Sequence, residues 1–424
     1  MGRWLYSLVL YLVFPFVLGL LFYRRLRDPA YGRRWQERLG YVPVLAPGCI
    51  WVHAVSVGEA LAAIPLIRRL QQRYPTRRIL VTTMTPTGSE RVQAALGETV
   101  DHVYAPYDLP HLVRRFLQRV KPAMMVIMET EVWPNIVHQC YQRQIPVILA
   151  NARMSESSAR GYLRGGALVR PVFQQLAWVA AQADADAERF RRLGVEEERL
   201  SVTGSIKYDV AIGQKLRADA AALREQLGDR PVWIAASTHD GEDEPLLAAH
   251  AELRRYYPRA LMILVPRHPE RFSSVARRVR HAGLSLARRS KGESAADRAV
   301  YLGDTMGELL MLFGAAEVAF VGGSLIPRGG HNPLEPAAWT LPVIMGPHVF
   351  NFASVCQRLG DSGGLITVAD EAALASQLRQ LLGDPERRQR VGEAARAVIA
   401  RNRGALDRLE AGITHHLSEA GPSD

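Results

Sequence analysis

Cysteine, lysine and long apolar runs are all scarce in this chain of 424 residues. The three cysteines, Cys49, Cys140 and Cys356, lie far apart and form no Cys-x-x-Cys pair. That argues against a disulfide framework and a zinc site, and favours a reducing compartment. Only four of the 53 basic residues are lysine, namely Lys121, Lys207, Lys215 and Lys291, so a lysine inside a motif stands out. No Gly-x-x-x-x-Gly-Lys-Ser/Thr element occurs, which argues against a P-loop nucleotide hydrolase.

One long apolar run does exist. Trp4 to Tyr23 is 20 residues without a charge, enough for a helix of about 30 Å, the thickness of a bilayer core. Trp4, Tyr6 and Tyr23 stand near its ends, where aromatic rings favour the interface. Arg24, Arg25 and Arg27 follow directly, then Arg33, Arg34 and Arg38. A signal peptide has a shorter apolar core and a small-residue cleavage site. The expectation is an uncleaved single-pass anchor, with the arginine excess holding the rest of the chain in the cytoplasm. A cleaved signal peptide and a buried core helix are the competing readings.

Hydrophobic residues make up 48% and charged residues 22%, the balance of a folded protein. A formal charge of +11 suits nucleic acid, an anionic membrane or phosphorylated substrates alike. The length implies two domains. Short apolar runs at Ile50–Val55, Ile79–Thr83, Met124–Met128 and Val147–Ala150 read as buried parallel strands. Ala60–Tyr74, Leu109–Val120 and Val132–Gln144 read as helices between them. After a polar stretch at Asp209–Asp229 the pattern restarts at Val232–Ala236, Leu261–Val265, Val318–Val321 and Val343–Met345. Glu371–Ser418 reads as helical, broken at Pro385. The fold class is therefore α/β, with two doubly wound domains and a cleft between them as the default ligand site.

Six segments have the residue types for chemistry. In Trp51–Glu59 (WVHAVSVGE) a strand runs into a turn, and Glu59 is either a helix-start acid or a general base facing the cleft. His53, inside the strand, reads as a core histidine. In Glu129–Asn135 (ETEVWPN), Glu129 sits close to a strand end, which is costly unless it is paired or functional. In Gly204–Asp209 (GSIKYD), the rare Lys207 follows a glycine turn and is either a surface lysine or a cation for a phosphate leaving group. Arg267 and His268 end another strand with cations suited to phosphate. Asp304–Glu308 opens a helix whose free N–H groups favour an anion. The glycine-rich Val321–Pro336 ends in Asn332 and Glu335, residues able to hold ribose hydroxyls. Asp184 and Asp186 mimic an Asp-x-Asp metal signature at what reads as a helix start. The acidic run Asp240–Glu244 is accounted for by helix capping.

Together and in this order, WVHAVSVGE, ETEVWPN, NARMS (Asn151–Ser155), GSIKYD and GGHNPLEP (Gly329–Pro336) resemble the 3-deoxy-D-manno-octulosonic acid (Kdo) transferase family over essentially the whole chain. The resemblance implies a GT-B fold of two Rossmann-like domains facing a cleft, with an N-terminal transmembrane helix. It further implies inverting transfer from CMP-Kdo to lipid IVA in lipopolysaccharide synthesis. Neither a bound metal nor another cofactor is implied, and no nucleic acid; the partners are the donor, the lipid acceptor and the anionic surface of the bacterial inner membrane. Glu59 matches the general base, and Glu129 and Lys207 match transition-state stabilisers. Arg267 and His268, Met306, Gly307 and Glu308, and Asn332, Pro333, Leu334 and Glu335 match stretches that hold CMP. The implied division is an anchor over 1–27, an acceptor-binding domain over 28–210 and a linker over 211–229. A nucleotide-sugar domain over 230–395 and a C-terminal helix and tail over 396–424 complete it. A GT-B transferase using another nucleotide sugar, of the lipid A disaccharide synthase type, is the alternative.

Overall fold

The computed structural model describes residues 2–27 and 32–419, and it falls into two compact units. Unit 1 is residues 1–209 together with 403–424, and unit 2 is 210–402. In unit 1 the strands are β1 (Ile50–His53), β2 (Ile79–Thr83), β3 (Asp101–Tyr104), β4 (Met124–Met128), β5 (Val147–Ala152), β6 (Trp178–Ala181) and β7 (Leu200–Val202). They pair in the order β3-β2-β1-β4-β5-β6-β7, every pair parallel. Unit 2 contains β8 (Val232–Thr238), β9 (Leu261–Pro266), β10 (Leu286–Arg288), β11 (Val300–Leu302), β12 (Val318–Val321), β13 (Val343–Met345) and β14 (Leu365–Thr367). Its order is β10-β11-β9-β8-β12-β13-β14, again all parallel.

Parallel strands are covered by helices on both faces, so their side chains are apolar on both sides. Every residue of β1, β2, β4, β8 and β9 is accordingly buried. In unit 1, one core contains Trp51, Met125 and Phe116, and the opposite face carries Ile50, Val126 and Leu66. Unit 2 repeats this with Trp233 and Phe320 on one side and Ile234 and Phe313 on the other.

Two expected boundaries move. The stretch 211–229 is no linker, because Gln214–Leu227 is a helix whose Ala220, Leu223 and Leu227 enter the core of unit 2. The C-terminal helical region holds two breaks, not one. Pro385 starts the helix Pro385–Asn402, as a proline at a first turn does. A second break, with Gly404 at φ +88°, precedes the helix Ala405–Glu419. Residues 396–402 therefore stay with unit 2, whereas Leu406, Leu409 and Ile413 join the core of unit 1. Asp209 accepts bonds from the N–H groups of Gly404 and Leu406, both at 2.7 Å, and caps that returning helix. The polar tail at 421–424 lies outside the described residues.

Candidate active site

In each sheet, chain order reverses beside the first strand laid down. The reversal falls between β1 and β4 in unit 1 and between β8 and β12 in unit 2. Doubly wound sheets bind ligands in the crevice that such a reversal opens at the carboxyl ends of the strands. Glu59 follows β1 and Glu129 follows β4; the run Ser237–Glu242 spans the end of β8 and the turn after it, and the glycine-rich loop follows β12.

Glu59 lies in the first turn of the helix Val57–Arg73, whose N-cap is Ser56. The Ser56 hydroxyl accepts from the Glu59 N–H at 3.3 Å and donates to Glu59 Oε1 at 2.8 Å, while the Val55 N–H donates to Oε2 at 2.8 Å. This is a variant of the capping box in which the carboxylate reaches the N–H one residue before the N-cap, so Glu59 does serve the helix start. Two donors leave roughly half of a carboxylate's four lone-pair sites open. The side chain is 7% exposed. Burial raises its pKa above the ordinary value; the bonds from Ser56 and Val55 oppose that, and the charges of Glu131 and Glu129 add to it.

Glu129 is buried, with φ at +59°, a left-handed backbone that turns the chain sharply at the end of β4. Arg153 Nε donates to its Oε2 at 2.7 Å, and Lys207 Nζ stands 3.8 Å from Oε1. Asn151, also left-handed at φ +51°, accepts from the Ile206 N–H at 3.2 Å and so sets the position of Lys207. Glu129 and Lys207 are thus brought together. Sequence reasoning missed Arg153, the nearer partner; its signal was its place in NARMS, directly after β5. His53 is a core residue, with Nδ1 2.8 Å from Thr82 Oγ1, and burial pushes its pKa down to about 3.

In unit 2 the acidic run does something other than capping. Glu242 is fully buried, makes no side-chain cap, and accepts the backbone N–H groups of His239, Gly323, Ser324 and Leu325 at 2.7–3.1 Å. One carboxylate therefore pins the turn after β8 to the glycine-rich loop after β12. Two backbone bonds, Gly330 N–H to Gly323 O at 2.7 Å and His331 N–H to Gly322 O at 3.1 Å, close that loop on itself. Glycine is required at two close approaches: a Cβ on Gly322 would stand 2.6 Å from the Ser237 carbonyl oxygen, and one on Gly346 2.2 Å from that of Ser324. Asp243 binds Thr238, Arg271 and Arg278, and Arg278 also pairs with Asp240 and Glu244.

Three histidines gather at this loop. His239 and His331 stack, with Nε2 atoms 2.7 Å apart, and His268 stands edge-on to His239 at 5.2 Å. Burial and neighbouring cations push His239 and His331 down to about 4, so both are neutral near pH 7 and one Nε2–H donates to the other ring. Arg267 follows β9. No described group accepts a hydrogen bond from its guanidinium, although its charge partly offsets the upward shift that burial gives Glu335. Asn332 bridges Leu334 N–H at 3.1 Å and Glu335 Oε1 at 3.2 Å, while Pro333 and Leu334 are buried at the start of the short helix Leu334–Ala338.

The 304–308 stretch divides. Met306 is 55% exposed and Gly307 has φ +82°. Glu308 is taken up by a bidentate pair with Arg289 at 2.6 and 2.7 Å, and Asp304 by Ser290 and Arg288. Asp186, of the Asp-x-Asp mimic, accepts from the Met154 N–H at 2.9 Å and pairs with Arg189, which is local architecture. Among the described residues no three His, Cys, Asp or Glu side chains converge as metal ligands.

A family model described as 3-deoxy-D-manno-octulosonic-acid transferase (kdotransferase) matches residues 33–210. The 3-deoxy-D-manno-octulosonic acid transferase of Haemophilus influenzae is 44% identical over 415 residues, covering 96% of this chain and 97% of that one. That of Bordetella pertussis is 38% identical over 434 residues, covering 97% and 99%. A solved UDP-GlcNAc 2-epimerase from Neisseria meningitidis bound to UDP-GlcNAc aligns at TM-score 0.57 and 13% identity, over 87% of this chain and 99% of that one. Likeness at that identity speaks for the fold alone, and with the two parallel sheets it agrees with the GT-B fold that the motif resemblance implies. With whole-length identity of this order, the chain belongs to the 3-deoxy-D-manno-octulosonic acid transferase family, glycosyltransferases of lipopolysaccharide biosynthesis.

Proposed function

We propose that the chain transfers Kdo from CMP-Kdo to lipid IVA with inversion, at the cytoplasmic face of a bacterial inner membrane to which its N-terminal helix attaches it. The observation that carries the reading is Glu59: a buried carboxylate at a switch point, raised in pKa and with lone pairs to spare. A glucosamine 6′-hydroxyl of the acceptor attacks the anomeric carbon of Kdo. Its proton passes to Glu59, and the bond from that carbon to the phosphate oxygen of CMP breaks. Lys207, held beside Glu129, and the unpaired guanidinium of Arg267 supply positive charge for the departing phosphate. His268, Met306, Gly307 and the segment Asn332–Glu335 form the CMP pocket, in which Glu308 acts by holding its loop on Arg289. The leaving group, CMP, carries a single phosphate, so cationic side chains serve it without a metal or other cofactor. The test is incubation with CMP-Kdo and lipid IVA followed by mass spectrometry of the lipid. The native chain adds Kdo and Glu59→Gln, still folded, does not; equal product from both would reject the assignment.

A further inference from the structure

The N-terminal helix Gly2–Arg27 is docked on unit 1 along one stripe. Its half-buried or buried positions recur at helical spacing from end to end: Arg3, Ser7, Leu10, Phe14, Val17 and Leu21. The stripe is polar at its start. Tyr6 donates to Asp108 at 3.0 Å, Ser7 and Arg3 donate to Asn135 at 3.1 and 3.2 Å, and the Tyr11 hydroxyl meets His111 Nδ1 at 2.7 Å. Further along, Phe14 packs edge-on against Tyr107.

The receiving residues belong to the framework of the unit. Asp108 also accepts the N–H groups of Asn135 and Ile136 at 3.0 and 2.8 Å, capping the helix Pro134–Tyr141, and Asn135 is fully buried. On the opposite face the helix is bare and apolar, with Trp4 71%, Leu12 66% and Phe16 78% exposed. In its last turn Arg24 and Arg25 are exposed, as is Arg33 after it, whereas Arg34 and Arg38 are drawn into the unit by Glu37 and Met84.

A helix crossing a bilayer has hydrocarbon all round it or apolar neighbours. Here a crossing helix that kept its seam would drag His111, Arg114 and the start of the helix Pro134–Tyr141 into hydrocarbon, where such groups are strongly disfavoured. One that abandoned the seam would leave Tyr6, Ser7 and Arg3 in lipid without partners. Neither cost arises if the helix lies flat, one face on the protein and the other in acyl chains. We propose that this helix is an in-plane, monotopic foot rather than a span. Its bare face sinks into one leaflet of an anionic bilayer, the arginines at its C-terminal end meet the headgroups, and both of its ends stay on the side of the globular units. This rests on the membrane attachment proposed above and replaces its single-pass topology.

The test uses the full chain with an epitope tag ahead of Met1, expressed in Gram-negative cells. Protease is added outside intact spheroplasts, then again after lysis. The chain is expected in the membrane fraction, with its tag intact until lysis. A tag cleaved in intact spheroplasts from a membrane-bound chain would overturn the flat orientation and leave attachment standing. A native chain found in the soluble fraction would overturn both. As a second measurement, Leu12→Glu with Phe16→Glu should shift at least half of the chain out of sedimenting vesicles containing phosphatidylglycerol, and retention of the double variant at the native level would count against the proposal.

Discussion

The two units share a sheet plan and use their acidic residues in opposite ways. At the switch point of unit 1, Glu59 is buried but keeps lone pairs to spend, and Glu129 faces two cations. In unit 2 most of the acids named above are already consumed, Glu242 by four backbone N–H groups, Asp243 by two arginines and Glu308 by Arg289, whereas Glu335 accepts only from Asn332. Unit 2 leaves over the Arg267 guanidinium and a pair of uncharged imidazoles, beside Glu335, whose pKa burial raises. On the function proposed above, identical topology thus yields one end that takes a proton and one that receives a phosphate.

The sharpest way to break that contrast is to remove the charge at position 59. Glu59→Gln should lower the transfer rate about 10³-fold, the scale of a lost general base. Its thermal stabilisation by CMP should match that of the native chain, because the pocket in unit 2 is untouched. A variant that lost CMP binding and kept turnover would reverse the assigned roles. Glu242→Ala should do the opposite kind of damage. It strands four N–H groups at a buried position, a loss of about 3–5 kcal/mol readable in denaturant unfolding, and it should abolish the CMP-induced rise in Tm. Arg267→Ala should weaken CMP binding roughly 10- to 100-fold, the scale of a charge-assisted phosphate contact, while its affinity for cytidine lacking the phosphate stays level in calorimetry. The smallest effect concerns pH. Glu59 must be ionised to act, and its pKa is raised by burial and then by Glu131 and Glu129. Activity should therefore rise with pH along a limb centred above the ordinary glutamate value. Glu131→Gln removes a raising charge, so the limb should shift by a few tenths of a unit toward lower pH; a shift upward would contradict the geometry.

Much of the fold was legible because central parallel strands are continuous apolar runs. Ile79–Thr83 and Met124–Met128 have the expected bounds. The strands that were not read are the four edge strands, β3, β7, β10 and β14, and two interior ones, β6 and β11, of four and three residues. β3 begins with Asp101 and His102, β7 exposes Ser201 and Val202, and β10 and β14 are three residues each. Strands of that length and polarity leave no period to detect. Candidate site residues were legible where a motif ends a strand, as with Glu59, Glu129 and Arg267. Glu242 was not, because its work lies 81 to 83 positions away along the chain, at the N–H groups of another loop, and a local reading sees only an acid beside a helix start. Arg153 was hidden in the same way, across 24 positions from Glu129.

The chain leaves unit 1 after Asp209 and re-enters it at Arg403, and the carboxylate of Asp209 touches the backbone of Gly404 and Leu406. Everything between these two seams is one uninterrupted block. An engineer can therefore exchange unit 2 as a single cassette by splicing at two neighbouring points on unit 1. Such an exchange would leave the sheet of unit 1 and its closing helix Ala405–Glu419 in place.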